Sequence, residues 1–109
     1  MPQFAVYKSP GRTQDIVFVV QVQSTRLDQR LGRVVLPLVR CGCGAPPDHA
    51  LTPHIRVQGQ TVYANPLELA TVPVARLGKP LEILRETDQD RVAQALRHSH
   101  NLLAAVKTL

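Results

Sequence analysis

The sequence predicts a mainly β chain with one C-terminal α-helix, on three observations. Ile16 to Ser24, IVFVVQVQS, passes from an almost unbroken apolar run into alternation at Val20, Gln21, Val22 and Gln23. Its β-branched residues and Phe18 suit a pleated surface, and the fully apolar first half implies burial on both faces. This stretch is read as the central strand. Arg33 to Val39, RVVLPLV, is similarly β-rich and follows only the polar, turn-like Thr25 to Gly32, so it should pair with that strand. From Thr87 the period changes: Val92, Leu96, Ser99, Leu103 and Val106 recur at alternating spacings of four and three, with Ala95 and Leu102 beside them. That is one apolar helical stripe.

The remaining elements fall around these three. Gln3 to Tyr7 reads as a short first strand, ended by the turn signal Ser9-Pro10-Gly11. Pro37 cannot donate to a ladder, so the Arg33 strand is expected to be an edge or to bulge there. Cys41 to Pro53, CGCGAPPDHALTP, is the longest loop, because its glycines and prolines oppose regular structure. His54 to Val57 and Thr61 to Ala64 flank Gln58, Gly59 and Gln60 as a hairpin. Leu67 to Ala70 is expected to make one helical turn, and Thr71 to Leu77 to return as a strand with Pro73 at an edge or bulge. The strands then span about residues 3–77 and the helix about 88–107, with Thr87 and Asp90 as a capping box at its start. A chain of 109 residues builds one core, so residues 1–109 are read as a single domain.

Composition excludes some classes of function. No run approaches the roughly 18 apolar residues of a membrane-spanning helix. The start, MPQFAVYKS, lacks the features of a secretory signal, and the chain is expected in the cytoplasm. The net charge is +5, carried mostly by arginines spread from Arg12 to Arg97, while Glu82, Glu86, Asp88 and Asp90 form a local acidic group. Such a balance suits an acidic partner. Nucleic-acid binding calls for a basic cluster interleaved with stacking aromatics, and the aromatics here are only Phe4, Tyr7, Phe18 and Tyr63. No direct nucleic-acid partner is expected.

Cys41-Gly42-Cys43 followed by His49 and His54 supplies four candidate zinc ligands. The single-residue spacer is tighter than that of the common knuckles and no second pair follows, so no metal and no cofactor are expected. His98 and His100 fall on opposite flanks of the helix stripe and do not converge. Cys43 with His49, or Ser24 with a histidine, would provide a nucleophile and base, but no elbow motif or supporting acid accompanies them. A phosphate-binding glycine loop is absent from the sequence. No catalytic residue is assigned.

Several pieces taken together carry a resemblance. These are QFAVY near the start, VVQVQSTRLD with RVVLPL, Leu51-Thr52-Pro53, and Ala70-Thr71-Val72-Pro73-Val74. In order and separation they resemble the CcdB family of bacterial toxins from Gln3 to about Leu84, with Gln23-Ser24, Asp28, Arg33, Pro37-Leu38 and Val72-Pro73-Val74 the same as or close to the family's residues. The resemblance implies an SH3-like β-barrel with a C-terminal helix, assembled as a homodimer. It also implies a non-enzymatic function in a type II toxin-antitoxin pair. Toxins of this family bind the A subunit of DNA gyrase and trap its cleaved-DNA complex, until a CcdA-like antitoxin with an acidic, disordered tail strips them off. Related toxins on the same fold cut messenger RNA, which is the alternative reading, as is a family member that binds antitoxin without poisoning gyrase.

The gyrase-binding residues implied by the resemblance lie in two places. One is the loop after the central strand, at Ser24, Arg26 and Leu27, where Arg26 replaces one of the family's two apolar residues and Leu27 keeps the character of the other. The second is the end of the helix, at His100, Asn101, Leu102 and Leu103, near the position of the family's terminal Trp-Gly-Ile. This chain has no Trp; Ala104 to Leu109 follow as an extension, or, with Asn101-Leu102-Leu103 set against the family's Asn-Leu-Met, the place of the signature shifts to Ala104 to Lys107, and in either alignment the signature is missing.

Overall fold

A computed structural model describes residues 3–11, 15–22, 32–42 and 44–107, with side chains to residue 99. The described residues form seven strands and one α-helix: β1 (Ala5–Lys8), β2 (Ile16–Gln21), β3 (Arg33–Arg40), β4 (His54–Val57), β5 (Gln60–Ala64), β6 (Ala70–Val72), β7 (Glu82–Ile83) and α1 (Glu86–Lys107). All strand pairs are antiparallel, in the order β4-β5-β3-β2-β1-β7, and β6 also pairs with β3. The fold class is the one expected, a mostly β half-barrel with a C-terminal helix.

The strand with most partners is β3 rather than β2. It pairs with β2 along one side, and on the other with β6 at Arg33 to Val35 and with β5 at Leu38 to Arg40. Pro37 therefore sits inside the sheet, against the expectation of an edge or a bulge at that residue. The reason is positional. The Pro37 carbonyl accepts from Asn65 N on the β5 side, so its missing N–H also faces that side, in the interval between the β6 and β5 ladders. The bulge is on the neighbour, where the β2–β3 register shifts between Ile16 and Phe18.

Other boundaries moved for equally local reasons. Phe4 has φ of 67°, which stops β1 from reaching back to Gln3. The Thr71 to Leu77 stretch is a strand only through Val72; after Pro73 the chain turns into a 3₁₀ turn, Val74–Arg76. A similar turn at Pro66–Glu68, capped by the Asn65 side chain on Leu67 N, stands where one helical turn was expected. β7 was not anticipated and extends the sheet beyond residue 77, joined to the edge of β1 at Ala5 and Val6. The helix begins at Glu86, so Thr87 lies inside its first turn and the capping box is not formed. Instead Asp88, buried near the positive end of the helix dipole, accepts from Arg85 at 3.4 Å.

Alternation along the strands divides the apolar residues into two clusters. Val6, Phe18, Val20, Leu36 and Leu38 face Val92 and Leu96 of α1, and with Ile55, Val57, Val62 and Leu84 they make the main core. Ala5, Tyr7, Val19 and Val35 face the other way and gather Leu77. The sheet is thus apolar on both sides, as the unbroken run in β2 implied.

A polar staple draws the two ends of the sheet toward each other. Gln58 and Gly59 both have positive φ, 51° and 77°, the conformation of a two-residue type I′ hairpin turn. The Glu82 carboxylate of β7 accepts from both Gln58 N and Gln58 Nε2, at 3.3 and 3.4 Å. Strand order alone places β4 and β7 at opposite edges, so this contact reflects the curl of the sheet.

Candidate functional site

Two surfaces of the described residues carry features beyond those that folding requires. The first is the sheet face turned away from α1. A groove of about 330 Å³ runs over Ile16, Val19, Val35, Pro37 and Val72, with Glu68 and Arg76 among its lining residues. Leu67, Leu69 and Val74, in the adjoining 66–76 segment, leave large apolar side chains exposed. Beneath this face Tyr7 Oη donates to Gln21 Oε1 at 3.4 Å, both residues being fully buried. Burial pushes the Tyr7 hydroxyl pKa up, opposed by the positive charge of Arg33.

The second surface joins the 41–53 loop to β4 and α1. Asp48 Oδ1 accepts from His54 N at 3.0 Å and also pairs with Arg91 of the helix, whose other guanidinium nitrogen donates to the His54 carbonyl. Loop, strand and helix are thereby tied at one point. The His54 ring is held separately, with Nε2 2.8 Å from the Pro46 carbonyl, Nδ1 3.7 Å from Cys41 Sγ, and Tyr63 beside it.

The hydrogen bond from His54 N, and then Arg91, hold the Asp48 carboxyl below the usual carboxylate range. A lowered carboxyl pKa stabilises the fold above the unfolded-state value of ~4 and loses that contribution as pH falls through the folded-state value. Asp48 is half-exposed, so the effect is small. Thermal midpoints from about pH 7 down to about pH 3 should show Asp48→Asn less stable than the parent near neutrality, with the gap closing in acid. A gap that stays constant would mean that Asp48 is not the titrating group.

Of the residues singled out from sequence, Ser24, Arg26 and Leu27 lie outside the described residues, as does Cys43. His100, Asn101, Leu102 and Leu103 lie on α1, which continues to Lys107, and their side chains are likewise outside the described set. The histidines of the loop do not act together. His49 Nδ1 accepts from Leu51 N, while His54 turns to Cys41 and Pro46. Among the described residues no three His, Cys, Asp or Glu side chains are grouped to hold a metal.

Sequence reasoning weighed Cys43 with His49, whereas the structure pairs Cys41 with His54. It also missed Asp48 with Arg91. The only prior signal was that Asp48 falls within, and His54 directly after, the proline-containing Cys41 to Pro53 loop. Nothing local marked Arg91.

Among the described residues no helix is long and apolar enough to cross a membrane. No curated protein matches the chain. A family model described as CcdB protein matches residues 3–99, nearly the whole of the described fold, ending one residue before the His100 to Leu103 segment. With its antiparallel half-barrel and packed C-terminal helix, the chain belongs to the CcdB family, the toxins of toxin-antitoxin pairs.

Proposed function

We propose that this toxin acts without catalysis, binding the A subunit of DNA gyrase as a cytoplasmic homodimer and stabilising the cleaved-DNA complex. The family match over residues 3–99 is the observation that carries this reading. The net charge of +5 supports neutralisation by a CcdA-like antitoxin with an acidic, disordered tail. The apolar groove on the outer sheet face supports a second copy as partner, since a symmetric interface buries one self-complementary patch on each subunit. A monomeric mass by light scattering at micromolar concentration would remove the dimer from this reading.

Gyrase contact is assigned to Ser24, Arg26 and Leu27 and to His100, Asn101, Leu102 and Leu103. Leu102 and Leu103 are the apolar anchors in place of the family's aromatic. Interface hot spots are dominated by large aromatic and Arg side chains, so the missing Trp costs on the order of 2 kcal/mol, or ~30-fold in affinity. Poisoning should therefore be weaker than in Trp-bearing relatives.

The test adds purified protein to gyrase and plasmid DNA and measures trapped cleavage. Truncation after His100 is the informative variant, because Val92, Ala95, Leu96 and Ser99, the stripe residues whose side chains are described as buried or half-buried, all precede the cut. The truncated chain should fold and lose trapping. If it traps cleavage as well as the full chain, the helix end is not the contact and the Ser24 to Leu27 loop takes its place. RNA cleavage abolished by a single Arg substitution, with no trapping, would favour the messenger-RNA-cleaving alternative. Antitoxin binding with neither activity would identify a member that no longer poisons.

A further inference from the structure

The Cys41–His54 pair lies apart from the residues assigned to gyrase contact. Its geometry has a definite chemical sense. A backbone carbonyl can only accept, so the 2.8 Å contact to Pro46 O places the imidazole proton on Nε2. Nδ1 is then left with its lone pair toward Cys41 Sγ, 3.7 Å away. This is a thiol, a base and an acceptor that orients the base, in the order that nucleophilic cysteines require.

The base is fixed from several sides. Its own N–H is bound by Asp48, its carbonyl by Arg91, and its ring lies 6.2 Å from that of Tyr63. Cys41 is partly exposed. Burial, and secondarily the Asp48 carboxylate, push the Cys41 pKa up. At neutral pH the group is therefore a thiol rather than a thiolate, and its attack on an electrophile needs a proton acceptor alongside.

We propose that Cys41 is a thiolation site for disulfides of small thiols, with His54 as its general base. Cys41 Sγ attacks one sulfur of the incoming disulfide and passes its proton to His54 Nδ1. The new S–S bond forms as the old one breaks. The leaving thiolate takes the proton back from the imidazolium and departs as a thiol, so the exchange balances without a separate oxidant. The partial exposure of Cys41 favours small disulfides.

The test uses the full chain carrying Cys43→Ser, so that Cys41 is the only thiol, with hydroxyethyl disulfide as a neutral probe and mass spectrometry as readout. The protein should gain one mercaptoethanol unit. The rate should be clearly slower in D₂O than in H₂O, as expected when a base takes the thiol proton during attack, whereas attack by a preformed thiolate shows no such slowing. Adding His54→Gln should lower the rate at pH ~7 by about tenfold or more and abolish the slowing in D₂O. An unchanged rate in a folded His54→Gln protein would overturn the proposal. Should that variant fail to fold, the solvent isotope effect with His54 intact decides: slowing in D₂O supports the base, and its absence refutes it.

Discussion

Val20→Asp abolishes cooperative folding. Val20 is fully buried in β2, opposite Val6 on one side and Leu36 on the other, and belongs to the cluster that faces α1. An aspartate there carries an unpaired carboxylate into an apolar layer with no described cation among its members, or must fold protonated. Either course costs more than about 4 kcal/mol, comparable to the whole stability of a marginal domain. Circular dichroism should show loss of the native spectrum and no unfolding transition. Val22→Asp makes the informative contrast. Although the sequence pattern gives the two valines equal weight, Val22 follows the end of β2 and is only half-buried, so its aspartate reaches water. It should cost roughly 1–3 kcal/mol and leave a transition to measure. A fully stable Val20→Asp protein would show that the core is elsewhere.

Gly32→Val is expected to have the next largest effect. Gly32 leads into β3 with φ of 114°, a conformation that side-chain-bearing residues rarely adopt, and a Cβ there would lie 3.0 Å from the Val72 carbonyl oxygen and 3.1 Å from Thr71 Cγ2. Strain and collision add. The colliding atoms belong to β6, whose hydrogen-bonded register to β3 starts at Arg33 opposite Val72, so relief requires β6 to move away. A loss of about 2–4 kcal/mol follows, read from urea denaturation, with amide exchange accelerated first at Ala70 to Val72. Gly59→Ala is the control. Gly59 also has positive φ, but its Cβ meets nothing within 4 Å, which leaves only a backbone cost of about 1 kcal/mol. Equal midpoints for Gly32→Val and the parent would mean that β6 is not held against Gly32.

The same contrast between local and distant causes separates what could be read from the chain and what could not. The period of three and four in α1 and the two-sided apolar run of β2 are properties of neighbouring residues, so both elements were legible with nearly their observed limits. The β4–β5 hairpin was legible too, because Gln58-Gly59 is a turn on its own chemistry. Thr87 misled because its capping signal competed with a helix that starts one residue earlier, at Glu86. β7 was invisible: two residues have no period, and Glu82 and Ile83 become a strand only because the edge of β1 is present.

Of the candidate sites, the sequence brought Ser24, Arg26, Leu27 and His100 to Leu103 forward by resemblance alone, since no local chemistry distinguishes them. It also named Cys41 and His54 as residues of interest, without their pairing. What the sequence by itself determined is the order of the elements other than β7, the apolar faces and the family, all of which depend on patterns repeated over short spans. Only the tertiary structure decided that β3 holds β2, β5 and β6, that Pro37 is harmless in its middle, that Asp48 reaches Arg91, and that Cys41 meets His54. Each of these depends on which side of a strand a group faces or how far a loop folds back. Such relations arise from hydrogen-bond register between distant segments, which no local pattern encodes.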